Sequence, residues 1–227
     1  MKTVLCITTL FFVGICLAQT DNENEKKLII EKGTWNLGGN FSLSFSNNQN
    51  ENESFFNENK NFSFTFLPNL GYTVKDNFIV GLGLGYGYTK SENLGNNNGE
   101  VTSSSLNEFD TFIVFPYIRT YWPVHKNLAF YIQAEGRYDF VKFKNQDRLL
   151  ELEGPQRTTN QIFLGIRPGI TFFISDKLAL ETSLGSLGYR KSYFSFDNDN
   201  SERTSDSSAF NFSLNSSDLL FGLSYYF

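Results

Sequence analysis

From Trp35 to Phe45 the chain alternates without a break. Trp35, Leu37, Gly39, Phe41, Leu43 and Phe45 fall on one face, and Asn36, Gly38, Asn40, Ser42 and Ser44 on the other. Strict period-2 alternation is the signature of a strand whose two faces meet different surroundings. The pattern returns in Leu219 to Phe227, where Phe221, Leu223, Tyr225 and Phe227 share one face and Leu220, Gly222, Ser224 and Tyr226 the other. That stretch ends the sequence on an aromatic residue, and an apolar edge left bare there would aggregate. Closing a sheet into a barrel removes its edges, so the expectation is that this strand is paired on both sides.

Six further alternating stretches lie between these two: Phe62 to Tyr72, Phe78 to Tyr88, Phe109 to Trp122, Leu128 to Phe143, Asn160 to Phe173 and Leu178 to Tyr189. The last strand is expected to start near Ala209. Three short turns, Lys75 to Asn77, His125 to Asn127 and Ser175 to Lys177, recur at 50-residue intervals. They face four longer polar stretches, Asn47 to Asn61, Lys90 to Glu108, Lys144 to Thr159 and Arg190 to Ser208, which read as loops. The repeat unit is therefore a hairpin, short at one end and long at the other. The fold class expected is all-β, an eight-stranded antiparallel up-and-down transmembrane β-barrel over residues 34–227, with its long loops outside the cell.

Two irregularities are expected. Proline removes a ladder donor, so Pro68 should disturb its strand. Phe210, Phe212 and Leu214 are even-numbered whereas the last strand is apolar on odd numbers, which calls for a bulge near Asn215 to Ser217.

Periodicity alone does not say which face points outward. The face opposite the aromatics carries Arg119, Glu135, Arg137, Asp139, Arg167 and Glu181 in mid-strand, among small and amide side chains. A solvent face would carry Lys and Glu throughout, yet the first and third strands show almost only small residues there. The charged face is therefore assigned to a narrow lumen. The aromatics fall into two girdles, one beside the short turns (Trp35, Tyr72, Trp122, Phe172) and one near the long loops (Tyr86, Tyr88). That is the arrangement of a wall facing lipid.

The first residues, MKTVLCITTLFFVGICLAQ, have one basic residue, an apolar run and small residues near Ala18, the pattern of a cleaved secretory signal over residues 1–18. Cleavage there removes Cys6 and Cys16 and leaves 18 basic and 24 acidic residues, a net of −6. No thiol chemistry survives it, and the charge gives no support to nucleic-acid binding. Residues 19–33 are polar and read as a flexible periplasmic lead-in with no packed structure.

Phe66, Pro68, Gly71, Tyr72 and Gly81, then PYIRTYWPV from Pro116, then Arg167, Pro168 and Gly169, then Leu178 to Glu181, resemble in order and spacing the small outer-membrane β-barrel family of Gram-negative envelopes. The ending resembles the closing strand of such barrels. That resemblance implies an outer-membrane location and makes Tyr225 and Phe227 part of the signal read by the barrel-assembly machinery. It implies no particular activity.

The chemistry that remains is sparse. His125, the sole histidine, lies in a short turn, away from the long loops where a barrel hydrolase would work. The Asp197 to Asn200 run lacks the ligand spacing of a calcium loop. The expectations are no catalytic residue, no metal and no cofactor. The six lumen charges are expected to pair and fill the lumen, since an eight-stranded interior is about the width of its side chains. The function expected is a scaffold that presents its loops to an unidentified extracellular partner. A narrow solute channel is the alternative, and a lipid-modifying enzyme of the envelope a weaker one.

Overall fold

The computed structural model describes residues 27–52, 55–98, 100–154, 156–196, 203–213 and 219–227. The signal segment, the Asp197 to Asn200 run and the bulge expected near Asn215 to Ser217 lie outside the described residues. Among the described residues eleven strands follow in order: β1 (Trp35–Glu51), β2 (Phe55–Lys75), β3 (Phe78–Asn97), β4 (Glu100–His125), β5 (Leu128–Asp147), β6 (Leu152–Glu153), β7 (Arg157–Phe173), β8 (Leu178–Leu184), β9 (Ser186–Phe196), β10 (Arg203–Ser213) and β11 (Leu219–Tyr226). β8 and β9 form one stave of the barrel, β10 and β11 another, and β6 is a short pairing on β5. The ring therefore has eight staves, each antiparallel to its neighbours, with β11 returning to pair β1.

Closure runs from Asn36↔Tyr226 to Phe41↔Phe221. It is finished by reciprocal backbone bonds between Trp35 and Phe227, of 2.7 and 2.9 Å. On β11, Phe221, Leu223, Tyr225 and Phe227 face outward, while Tyr226 is buried in the lumen. Phe210 of β10 pairs with the exposed Tyr189 of β9 and Asn211 with the buried Gly188, so the inside-outside parity does change between β10 and β11. A second change sits beside it: Gly185, at φ 74°, separates β8 from β9. The β7 register steps there from Gly169↔Ser183 to Ile166↔Leu187.

The polar stretches assigned to loops are largely strand, which corrects the sequence reading. Pairing continues from Asn47↔Lys60 to Glu51↔Phe56 and from Lys90↔Glu108 to Asn97↔Glu100, and β9 and β10 pair from Ser186↔Ser213 to Phe196↔Arg203. Alternation reports a difference between two faces. Where both faces meet water the alternation disappears, yet the backbone ladder does not depend on it. Side chains tie these extensions across strands: Asn59 bonds Asn93, Asn93 donates to Ser105 at 3.4 Å, and Asn145 donates to Asn107 at 2.6 Å.

Pro68 interrupts its ladder without shifting it. Pairing of β2 with β3 skips from Phe66↔Tyr86 to Asn69↔Gly83 in constant register, and the register shift falls instead between Thr73 and Lys75. Pro116 does the same between β4 and β5, where pairing skips from Val114↔Tyr138 to Tyr117↔Glu135.

The glycines of β3 make room for rings from the adjacent strand. Phe115 and Tyr117 of β4 lie over Gly83 and Gly81, their cross-strand partners, so closely that a Cβ on Gly83 would run into the tip of the Phe115 ring. Phe115, Tyr117, Tyr121, Tyr131 and Tyr226 are thus buried on the lumen side, beside the small residues.

Candidate functional site

The outer wall is apolar along the middle of the staves. Leu37, Phe41, Leu70, Leu82, Leu84, Ile132, Leu164 and Leu180 stand exposed on it. Toward the short turns Trp35, Tyr72, Trp122 and Phe172 are exposed, with the Trp35 and Tyr72 rings 5.0 Å apart. At the other end Tyr86 and Tyr88 send their hydroxyls away from the apolar band, Tyr86 to Asp110 at 2.5 Å and Tyr88 to Glu108. A tyrosine with its ring against an apolar band and its hydroxyl on a carboxylate suits a boundary between lipid and water.

All six charges assigned to the lumen lie inside the barrel. Arg119 on β4, Glu135 on β5 and Glu181 on β8 are at most 7% exposed, and each sits at an odd-numbered, inward position of its strand. Arg119 Nη1 meets Glu181 Oε2 at 2.8 Å, and Arg167 Nε meets Glu135 Oε1 at 2.7 Å. Arg137 Nε meets Asp139 Oδ1 at 2.6 Å, two residues along the same strand.

The sequence reading missed what joins these pairs. Gln133 accepts from Arg119 Nε and Nη2 at 3.0 and 2.8 Å, and donates to Glu135 Oε2 at 2.7 Å. Below it, Tyr226 donates to Glu181 Oε1 at 3.0 Å and lies 3.0 Å from the Tyr121 hydroxyl, which accepts from Arg119 Nη1 at 2.9 Å. The Arg119 guanidinium also sits 4.4 Å from the Tyr131 ring centroid. A continuous polar chain therefore runs Tyr226, Glu181, Arg119, Gln133, Glu135, Arg167, with aromatic rings closing its sides. Three further lumen residues, Tyr121, Tyr131 and Gln133, share the inward parity of Arg119 and Glu135, which is the signal that identifies them.

The lead-in is not loose where it is described, which corrects the second sequence expectation. Residues 27–33 lie across the short-turn mouth of the barrel. Ile30 is 4% exposed and joins the core cluster with Tyr121, Phe173 and Tyr226, and Leu28 packs against that cluster. The backbone is pinned as well. Ile30 N–H donates to Asn77 Oδ1 and Asn77 N–H to the Ile30 carbonyl, both at 2.9 Å. Lys32 N–H donates to Asp76 Oδ1 at 2.8 Å, Gly33 N–H to the Thr73 carbonyl at 2.8 Å, and Leu28 N–H to the His125 carbonyl at 3.4 Å. Asn77 holds φ 61°, a left-handed turn conformation that asparagine tolerates, and this directs its amide at Ile30. The apolar triplet Leu28, Ile29, Ile30 inside a charged run was the available signal. His125 thus contributes to the cap through its backbone.

No family model and no curated protein matches the chain. Among solved structures it is similar to a major outer membrane protein from Thermus thermophilus, at 14% identity over 87% of this chain and 100% of that one, with a TM-score of 0.45. It is also similar to Neisserial surface protein A, at 13% identity over 85% and 94% with a TM-score of 0.31. A third similar structure is the translocator domain of autotransporter NalP from Neisseria meningitidis, at 12% identity over 99% and 97% with a TM-score of 0.35.

Proposed function

We propose that this chain is an integral outer-membrane barrel that works as a structural and interaction scaffold, its lumen sealed and its four polar hairpins offered to partners outside the cell. The observation that carries the reading is the double seal at one end of an otherwise apolar-walled ring. The Arg119–Glu181 network fills the lumen, and Ile30 covers the mouth beneath it. A wall of exposed Leu, Ile and Phe side chains fits lipid, since a soluble protein rarely exposes apolar patches of that extent. Hairpins paired almost to their tips are stiff and suit a binding surface more than a lid. The reading assigns no catalytic residue and no cofactor. It takes outer-membrane lipid as the surroundings and the barrel-assembly machinery as the route of insertion through Tyr225 and Phe227.

Single-channel recording on the refolded protein in a planar bilayer tests it. The expected result is a silent membrane. Resolved unitary steps would overturn the sealed scaffold in favour of a narrow channel.

A further inference from the structure

Just above the Arg119 network the lumen holds a cavity of about 20 Å³, walled in part by Asn40, Arg119, Glu135, Arg137, Arg167 and Ser183. Three guanidiniums line it, and each is paired with one carboxylate, Arg119 with Glu181, Arg137 with Asp139 and Arg167 with Glu135.

The donors, however, are unbalanced. Arg119 spends its donors on Gln133, Tyr121 and Glu181. Arg137 and Arg167 each spend only Nε, on Asp139 and on Glu135. An arginine carries five N–H donors and no acceptor, so each of these two has four donors with no protein partner among the described residues. Their side chains are 17% and 12% exposed, so bulk water reaches them only in part. The Ser183 hydroxyl, in a residue 4% exposed, likewise has no hydrogen-bond partner among the described residues.

We infer that this cavity binds a halide-sized anion, chloride being the form chemically suited to it. A space of that volume takes one water-sized particle and no sugar or nucleotide. Water would bring only two lone pairs to that wall, fewer than the donors that Arg137 and Arg167 leave unspent. A halide accepts from every direction, so the Arg137 and Arg167 Nη groups, the Ser183 hydroxyl and the Asn40 amide can all point at it. This goes beyond the scaffold reading and rests on it only in needing a lumen not flushed by solvent, which conductance measures separately.

The test uses the full chain refolded in detergent. The ³⁵Cl resonance of sodium chloride should broaden in its presence and sharpen again as bromide competes, and crystals grown in sodium bromide should show an anomalous peak between Arg137, Arg167 and Ser183. Ser183→Ala should weaken chloride binding about 2- to 10-fold, the loss of one hydrogen bond. Arg137→Lys, which retains the charge facing Asp139 but loses the planar fork, should weaken it further. Lys75→Gln, at the exposed end of β2, should leave it unchanged. Water with no anomalous signal at the position, equal broadening by the wild type and Ser183→Ala, or an equal loss in Lys75→Gln would each overturn the inference.

Discussion

Arg119 and Glu181 stand 62 residues apart in the chain and 2.8 Å apart across the lumen, and each side chain is at most 3% exposed. A buried pair of this kind gives little net stability, but breaking it strands a charge. Arg119→Met should therefore cost about 3 to 5 kcal/mol, whereas Arg119→Met with Glu181→Leu should cost much less. Urea unfolding of the four proteins of the cycle in lipid vesicles measures the coupling, and a coupling near zero would mean that solvent reaches both groups.

The contact of Gly83 with Phe115 gives a test of lumen packing. A methyl group on Gly83 would collide with the end of a ring, so the side chain has to move for Ala to fit. Gly83→Ala should destabilise the barrel by about 1 to 3 kcal/mol, the usual cost of overpacking. Adding Phe115→Leu should return part of that loss in the same unfolding measurement. Equal stability of Gly83→Ala and the wild type would show the ring to be free to turn aside.

Much of this was legible in the sequence, for a physical reason. From Trp35 to Phe45 one face meets an apolar surrounding and the other the lumen, so alternation marks the strand and its parity marks what lies inside. Parity, together with the small residues that share that face and the aromatic girdles on the other, placed Arg119, Glu135 and Glu181 in the lumen. It was silent on two things. Asn47 and Lys60 pair in the same unbroken register as Phe45 and Phe62, but with both faces exposed nothing alternates between apolar and polar. Ile30 lies in no strand at all, and its burial depends on Asn77 and Tyr226, which the fold brings to it from far along the chain.

The extensions carry a pH-dependent tie. Glu92 accepts from Lys90 Nζ at 2.9 Å and from Arg148 Nη2 at 3.1 Å, joining β3 to the end of β5. The Lys90 hydrogen bond, helped by the charges of Lys90 and Arg148, holds its carboxyl below the usual glutamate value. A lowered folded-state pKa adds stability that is present above the unfolded value and is lost as pH falls through the folded one. Hydrogen-exchange protection around Glu92 and Asn145 should therefore drop as the medium is acidified through the carboxylate range, and Glu92→Gln should remove most of that change. A drop of the same size in Glu92→Gln would assign it to other groups.

The cap over the short-turn mouth makes the last prediction. Ile30 is held by the rings of Phe173 and Tyr226 below it and by reciprocal bonds to Asn77 at its backbone, so the segment is fastened at one buried side chain and a few backbone points. Placing a carboxylate there puts a charge in an apolar seat without a partner, which costs more than any single backbone bond returns. Ile30→Asp should therefore release residues 27–33 while the ring, closed independently through Trp35 and Phe227, stays folded. Trypsin reads this directly, because Lys32 is exposed but its peptide is held against Asp76 and Thr73. Cleavage after Lys32 should be slow in the wild type and fast in Ile30→Asp, with the folded barrel still showing heat-modifiable migration in both. Equal cleavage rates would mean that the segment leaves the mouth readily in the native protein, and the seal would then rest on Arg119 and Glu181 alone.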